Sequence, residues 1–278
     1  MKNKMKLVVC AAVLMTGFMV AAMPAVAEMM IMPVRVFFKD GDRMKTLSVF
    51  NNSPAQGLFR LELENKKQVK DGGYVSLKPE EKPQYDMTEM LVYSPRQISL
   101  EPQGKQAIRL SLRRPAELPD GEYRVYARLT RVSKEATERD AGIVAPSKAK
   151  AVVGINVGFA VPVILRKGKY DTTARIVDPA LIPANLKDKD PAPMVTFKVS
   201  RTGKYSALGR VQVLWTPAGG EERQVGLLNG VNIFPELAER DVKIKLQDRS
   251  VSGGQLRLVY SGTDADKGIV FDEKVFTP

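Results

Sequence analysis

The chain contains no histidine, one cysteine and one tryptophan in 278 residues, and each scarcity removes a class of chemistry. Without histidine there is no Ser-His or Cys-His nucleophile system and no imidazole metal ligand. The single cysteine, Cys10, falls inside an N-terminal targeting segment, so the mature chain has no thiol, no disulfide and no cysteine metal ligand. A Ser-Lys dyad or a carboxylate pair stays formally open, but no motif places one. Thr263-Asp264-Ala265-Asp266 alternates carboxylates, yet Lys267-Gly268 follows and the rest of a calcium loop is missing, so it reads as a turn. The expectation is a non-enzyme with no metal and no cofactor.

Long apolar runs are confined to the first residues. Lys2, Lys4 and Lys6 give a positive start, Leu7 to Ala22 an apolar core and Ala25-Val26-Ala27 a small-residue cleavage site, the pattern of a secretory signal. The run is shorter than the roughly 20 residues a bilayer-spanning helix needs. Residues 1–27 are therefore expected to be removed, leaving no integral membrane segment. Loss of three lysines takes the formal charge from +12 to about +9, a basic balance that suits nucleic acid, an anionic surface or an acidic protein. Export makes nucleic acid an unsuitable partner. A mature chain of this length is large enough for one large or two medium cores without disulfide staples.

Sustained helical periodicity with caps is also absent, and what stands in its place is alternation. Val34 to Phe38, Lys45 to Asn51, Phe59 to Glu64, Leu91 to Tyr93, Ile98 with Leu100, Ile108 to Leu112 and Tyr123 to Val132 read as short strands between turn residues. Lys78 to Glu89, with two prolines, reads as loop, and Ser133 to Ala151 as a long connection that is either a solvated mobile loop or functional. A second series follows Lys167: Ala174 to Val177, Met194 to Val199, Gly209 to Trp215, Gln224 to Leu228, Val242 to Leu246, Gln255 to Tyr260 and Lys267 to Phe276. Short strands at close spacing predict an all-β chain of two sandwiches.

One stretch stands out. From Val153 to Val161 every odd position is large and apolar (Val153, Ile155, Val157, Phe159, Val161) and every even one is Gly, Asn or Ala. Successive strand side chains face opposite ways, so the bulky groups share one side. Each could contribute about 1.5–3 kcal/mol if a partner buried it fully. The plainer alternative is a half-buried strand of the chain's own sheet. Pro162 cannot donate to a ladder and points to an edge, yet no charge protects that edge as charges usually do.

The segment Tyr93-Ser94-Pro95-Arg96-Gln97-Ile98-Ser99-Leu100-Glu101-Pro102-Gln103-Gly104, then Ala107-Ile108-Arg109-Leu110, Leu118-Pro119-Asp120-Gly121 and Glu122 to Leu129, resembles the periplasmic chaperones of chaperone-usher pili. Val34 to Phe37, Val49 to Ser53, Leu165-Arg166 and Val231 to Pro235 add weaker support. The resemblance implies two immunoglobulin-like β-sandwich domains set at an angle, residues 28–166 and 167–278, with no catalytic activity and a periplasmic location. It implies that Val153, Ile155, Val157, Phe159 and, less firmly, Val161 are lent to a pilus subunit whose own fold lacks a strand, a form of β-augmentation of which chaperone-pilin complementation is a standard example. It also implies an outer-membrane usher as the second partner.

In that family two cations hold the subunit's terminal carboxylate. Arg35 matches the first. The second, a lysine on the donor strand, falls on Pro162 here, which marks a divergent member and leaves Arg128 as the candidate replacement. The family also ties the end of the donor strand to the second domain, for which Arg166 and Asp264 are the expected pair. As an isolated surface pair it would be worth roughly 0–1 kcal/mol. The alternative reading, an exported structural pilus subunit or adhesion module, needs a donor extension near the mature start. Only Met29 to Met32 is apolar there, without alternation.

Overall fold

The computed structural model describes residues 29–132, 158–187 and 189–278. Among them there is no α-helix, and no helix is long and apolar enough to cross a membrane. The first half contains β1 (Met29–Met32), β2 (Val36–Phe38), β3 (Met44–Asn51), β4 (Gly57–Glu64), β5 (Lys66–Gln68), β6 (Tyr74–Ser76), β7 (Leu91–Ser94), β8 (Gln97–Leu100), β9 (Lys105–Leu112), β10 (Gly121–Val132) and β11 (Gly158–Lys167). One sheet runs β1-β3-β9-β7 and the facing one β2-β11-β10-β4-β8. That is the order of an immunoglobulin sandwich, with β2 added on the far side of β11.

The alternation of the sequence becomes the two sides of each strand. Leu47 and Val49 of β3 and Ile108 and Leu110 of β9 are fully buried, as are Val125, Ala127 and Leu129 of β10 and Val163 and Leu165 of β11. β1 is a strand where sequence alternation gave no signal. Its four residues are all apolar, but Met29 and Ile31 enter the core while Met30 and Met32 face out.

The second half contains β12 (Thr173–Ile182), β13 (Met194–Thr202), β14 (Ala207–Thr216), β15 (Arg223–Ile233), β16 (Glu239–Lys245), β17 (Gln255–Gly262) and β18 (Val270–Phe276). Its sheets are β12-β13-β16 and β15-β14-β17-β18, again an immunoglobulin-like pairing. The first core draws on residues from Met29 to Leu165 and the second on residues from Ala174 to Tyr260. A third, small cluster of Ile164, Leu208 and Phe234, with Phe37 against it, joins the halves.

β5 and β6 form a hairpin that turns through Asp71-Gly72-Gly73. It reaches across to the second half, where Lys70 O accepts from Asp241 N at 2.7 Å. Gly72 has φ +88, and a Cβ there would run into the Arg240 guanidinium. Glycine meets both the left-handed turn and the close approach.

Candidate functional site

β10 accompanies β11 along its whole length, from Gly121 opposite Lys167 to Thr130 opposite Gly158. Among the described residues, β11 has a neighbour on its other side only at Val163–Leu165, which pair in parallel with Val36–Phe38. From Gly158 to Pro162 that side of the strand has no partner strand among the described residues. Side-chain room is restricted there: a Cβ on Gly158 would lie 3.0 Å from the Thr130 side chain and 3.2 Å from the Leu129 carbonyl.

Phe159, Val161, Val163 and Leu165 point the same way along β11. Val163 and Leu165 are fully buried and Val161 is 3% exposed, all within the first core, whereas Phe159 is 37% exposed. Val161 is thus consumed by its own domain and is not offered outward, because the core reaches one residue pair further along the strand than the sequence indicated. Phe159 is the first apolar side chain past the core's end. Val153, Ile155 and Val157 lie outside the described residues.

Register places the candidate anchors. Val36 lies opposite Val163, so Arg35, one step earlier, stands opposite Pro162, where β2 stops and the open edge begins. Arg35 is mostly buried and is held by an ion pair with Asp264 of the second half. Arg128 lies on β10 opposite Ala160. It is 43% exposed and already held by Glu62 at 2.6 Å and Glu64 at 3.5 Å. The two arginines are held by different carboxylates, Arg35 by Asp264 and Arg128 by Glu62 and Glu64. Arg128, chosen for its charge on the preceding strand, is neutralised by carboxylates of β4 that sequence spacing could not place beside it.

The junction between the halves corrects the expected Arg166–Asp264 pair. Arg166 donates to both oxygens of Asp266, to Glu122 at 3.0 Å and to the carbonyl and hydroxyl of Ser206 at 2.9 and 3.0 Å. Asp264 and Asp266 sit in one 3-10 turn, two residues apart, and this spacing sends the first to Arg35 and the second to Arg166. Nor is the pair a surface one: side-chain exposure is 13% for Arg166 and 1% for each of Glu122 and Asp266. Burial opposes the Arg166 charge, but the hydrogen bond to Asp266 and the fields of both carboxylates outweigh it and hold its pKa above the ordinary value.

A second charged junction gave no sequence signal. Arg124, on β10, is 1% exposed and bonds Glu236 at 2.6 Å. Its guanidinium lies 3.8 Å from the centre of the Phe234 ring and 4.6 Å from that of Tyr85, close enough for cation–π attraction. Gln68 completes the contact, donating to Asn232 O at 2.9 Å, accepting from Phe234 N at 3.0 Å and giving its own N–H to Glu236 at 3.0 Å. In a strand reading Glu-Tyr-Arg-Val-Tyr, Arg124 takes the place of a solvent-facing charge. Tyr85 and Tyr126 of the first half and Phe234 and Glu236 of the second cover it together.

Burial, with the Glu236 charge adding to it, pushes the Tyr85 phenol up to about 12. The neutral form is the one the fold favours. Its contribution to stability is intact below the ordinary tyrosine value near 10 and is lost as pH rises from about 10 to about 12. An ultraviolet titration of wild type against Tyr85→Phe should differ by one phenolate that appears near pH 12. A difference centred on the ordinary tyrosine range would contradict the burial.

No family model and no curated protein matches the chain. Solved structures do align with it: the YadV chaperone, at 10% identity and TM-score 0.47, over 91% of this chain and 100% of that one; and the Pseudomonas aeruginosa CupB2 chaperone, at 13% identity and TM-score 0.45, over 89% and 98%. A structure of Salmonella enterica SafA pilin in complex with the SafB chaperone aligns at 12% identity and TM-score 0.44, over 91% and 97%. These three similarities span most of the chain at low identity, all are to chaperone structures, and one of those holds a pilin.

Proposed function

We propose that the chain is a periplasmic chaperone that binds pilus subunits by strand donation and delivers them to an outer-membrane usher. The observation that carries this reading is the edge of β11 from Gly158 to Pro162, unpaired among the described residues, with Phe159 part-exposed past the end of the core and Arg35 at its end. An unpaired edge normally carries a defence against other chains. This one is uncharged, and the sequence alternation of Val153, Ile155 and Val157 continues Phe159's pattern. A subunit lacking a strand would gain both backbone partners and apolar cover from it.

The structural-subunit alternative is disfavoured by β1. Met29–Met32 is paired with the chain's own β3 and half of it fills the first core, so it is not a free donor extension. Co-purification from periplasm tests the proposal. The tagged chain, expressed with neighbouring exported reading frames, should elute with a small β-rich protein in stoichiometric amount. Elution alone, as a stable monomer, would overturn the reading.

A further inference from the structure

The turn at Asp264–Asp266 delivers two carboxylates to two arginines of the first half, and they are held in unlike ways. Asp266 has a side chain 1% exposed and also accepts from Leu208 N at 2.9 Å, so it belongs to the fixed junction. Asp264 has a side chain 40% exposed, and Arg35 is the cation paired with it. Its backbone has φ 52, the left-handed region that Asp and Asn enter more readily than most residues. On the arginine side, Arg35 Nε is buried and makes no hydrogen bond. The guanidinium therefore has donor capacity beyond what Asp264 uses.

We propose that Asp264 is a built-in competitor, which occupies Arg35 in the free chain and is displaced by the C-terminal carboxylate of a bound strand. This rests on the strand-donation reading above. β2 runs parallel to β11 and begins at Val36 opposite Val163. A strand laid along Gly158 to Pro162 in the same direction as β2 must leave the edge where β2 begins, and one that ends there has its terminal carboxylate at Arg35. Until then a guanidinium whose side chain is only 17% exposed would sit without a counter-charge, a costly state. Asp264 relieves that cost, and its exposure keeps the pair weak enough to exchange. Competition of this kind lowers affinity for chain ends without blocking them.

The probe is a short acetylated peptide of alternating valine and threonine, made once with a free C-terminal carboxylate and once as the amide. Each is titrated calorimetrically against the full chain as wild type, Asp264→Asn and Arg35→Ala. Asparagine suits the left-handed backbone and leaves Asp266 in place. Asp264→Asn should bind the free acid about fivefold more tightly, the effect of removing a competing exposed pair, and leave the amide unchanged. Arg35→Ala should bind acid and amide alike. An unchanged acid affinity in Asp264→Asn, with Arg35→Ala still weakening the acid, would overturn the competition while keeping the anchor. A weaker acid affinity in Asp264→Asn would overturn it too, since Asp264 would then be orienting Arg35. If neither peptide binds any of the three chains, strand donation itself fails and the competition with it.

Discussion

Arg166→Ala is expected to destabilise the chain by about 3–5 kcal/mol, because it leaves Glu122 and Asp266 buried with no counter-charge. Burial decides the size. An exposed pair would cost roughly 0–1 kcal/mol on truncation, but here both carboxylate side chains are 1% exposed and Arg166 also satisfies the Ser206 carbonyl. Against a typical total of about 5–15 kcal/mol, such a loss shifts a urea midpoint far outside experimental error. The lone charges would also push the halves apart, since Glu122 belongs to β10 and Asp266 to the second half. Small-angle scattering of the variant should show a changed arrangement. A loss below about 1 kcal/mol with unchanged scattering would mean that the junction is wetter and looser than the geometry describes.

Phe159→Asp is expected to weaken subunit binding by more than about 100-fold while leaving the free chain folded. The lost apolar area is the smaller part. The Phe159 ring is already about two-thirds covered, so burying the remainder contributes only about 1 kcal/mol, a few-fold in affinity. The carboxylate dominates, because a partner's apolar groove offers it no hydrogen bond and desolvating it costs several kcal/mol. Phe159→Ala should consequently weaken binding only a few-fold. Phe159 is outside the first core, so neither variant should cost the free chain more than about 1 kcal/mol. Equal losses for Ala and Asp would point to a contact made by ring shape, and no loss for either would remove Phe159 from the interface.

The period-two pattern carried most of the fold. In the middle of β3, β9 and β10 the apolar side is the one that fills the first core, through Leu47 and Val49, Ile108 and Leu110, and Val125, Ala127 and Leu129. The pattern was silent in two places for physical reasons. β1 is apolar on both sides, so alternation was invisible until β3 paired with it. The β5 and β6 hairpin buries no apolar side chain and owes its place to contacts with the second half through Gln68 and Lys70, contacts that join residues more than 160 positions apart. The site divides the same way. An apolar Phe159 in line with Val161 and an edge beside Pro162 follow from local sequence. That Asp266 rather than Asp264 holds Arg166, that Arg128 is spent on Glu62 and Glu64, and that Arg124 is buried against Glu236 all depend on which distant carboxylate arrives. Charge in a strand marks a polar face, and only the tertiary partner decides whether that face meets water.

Strand donation is tested most directly by amide hydrogen exchange on the chain alone and in complex with the subunit that co-purifies with it. Pairing along the open edge predicts that amides from Gly158 to Val161 slow markedly in the complex, while the outer edge of β1 exchanges as in the free chain. A stable complex in which the Gly158 to Val161 amides exchange at their free-chain rate would contradict it, and would move the subunit to another face of the molecule.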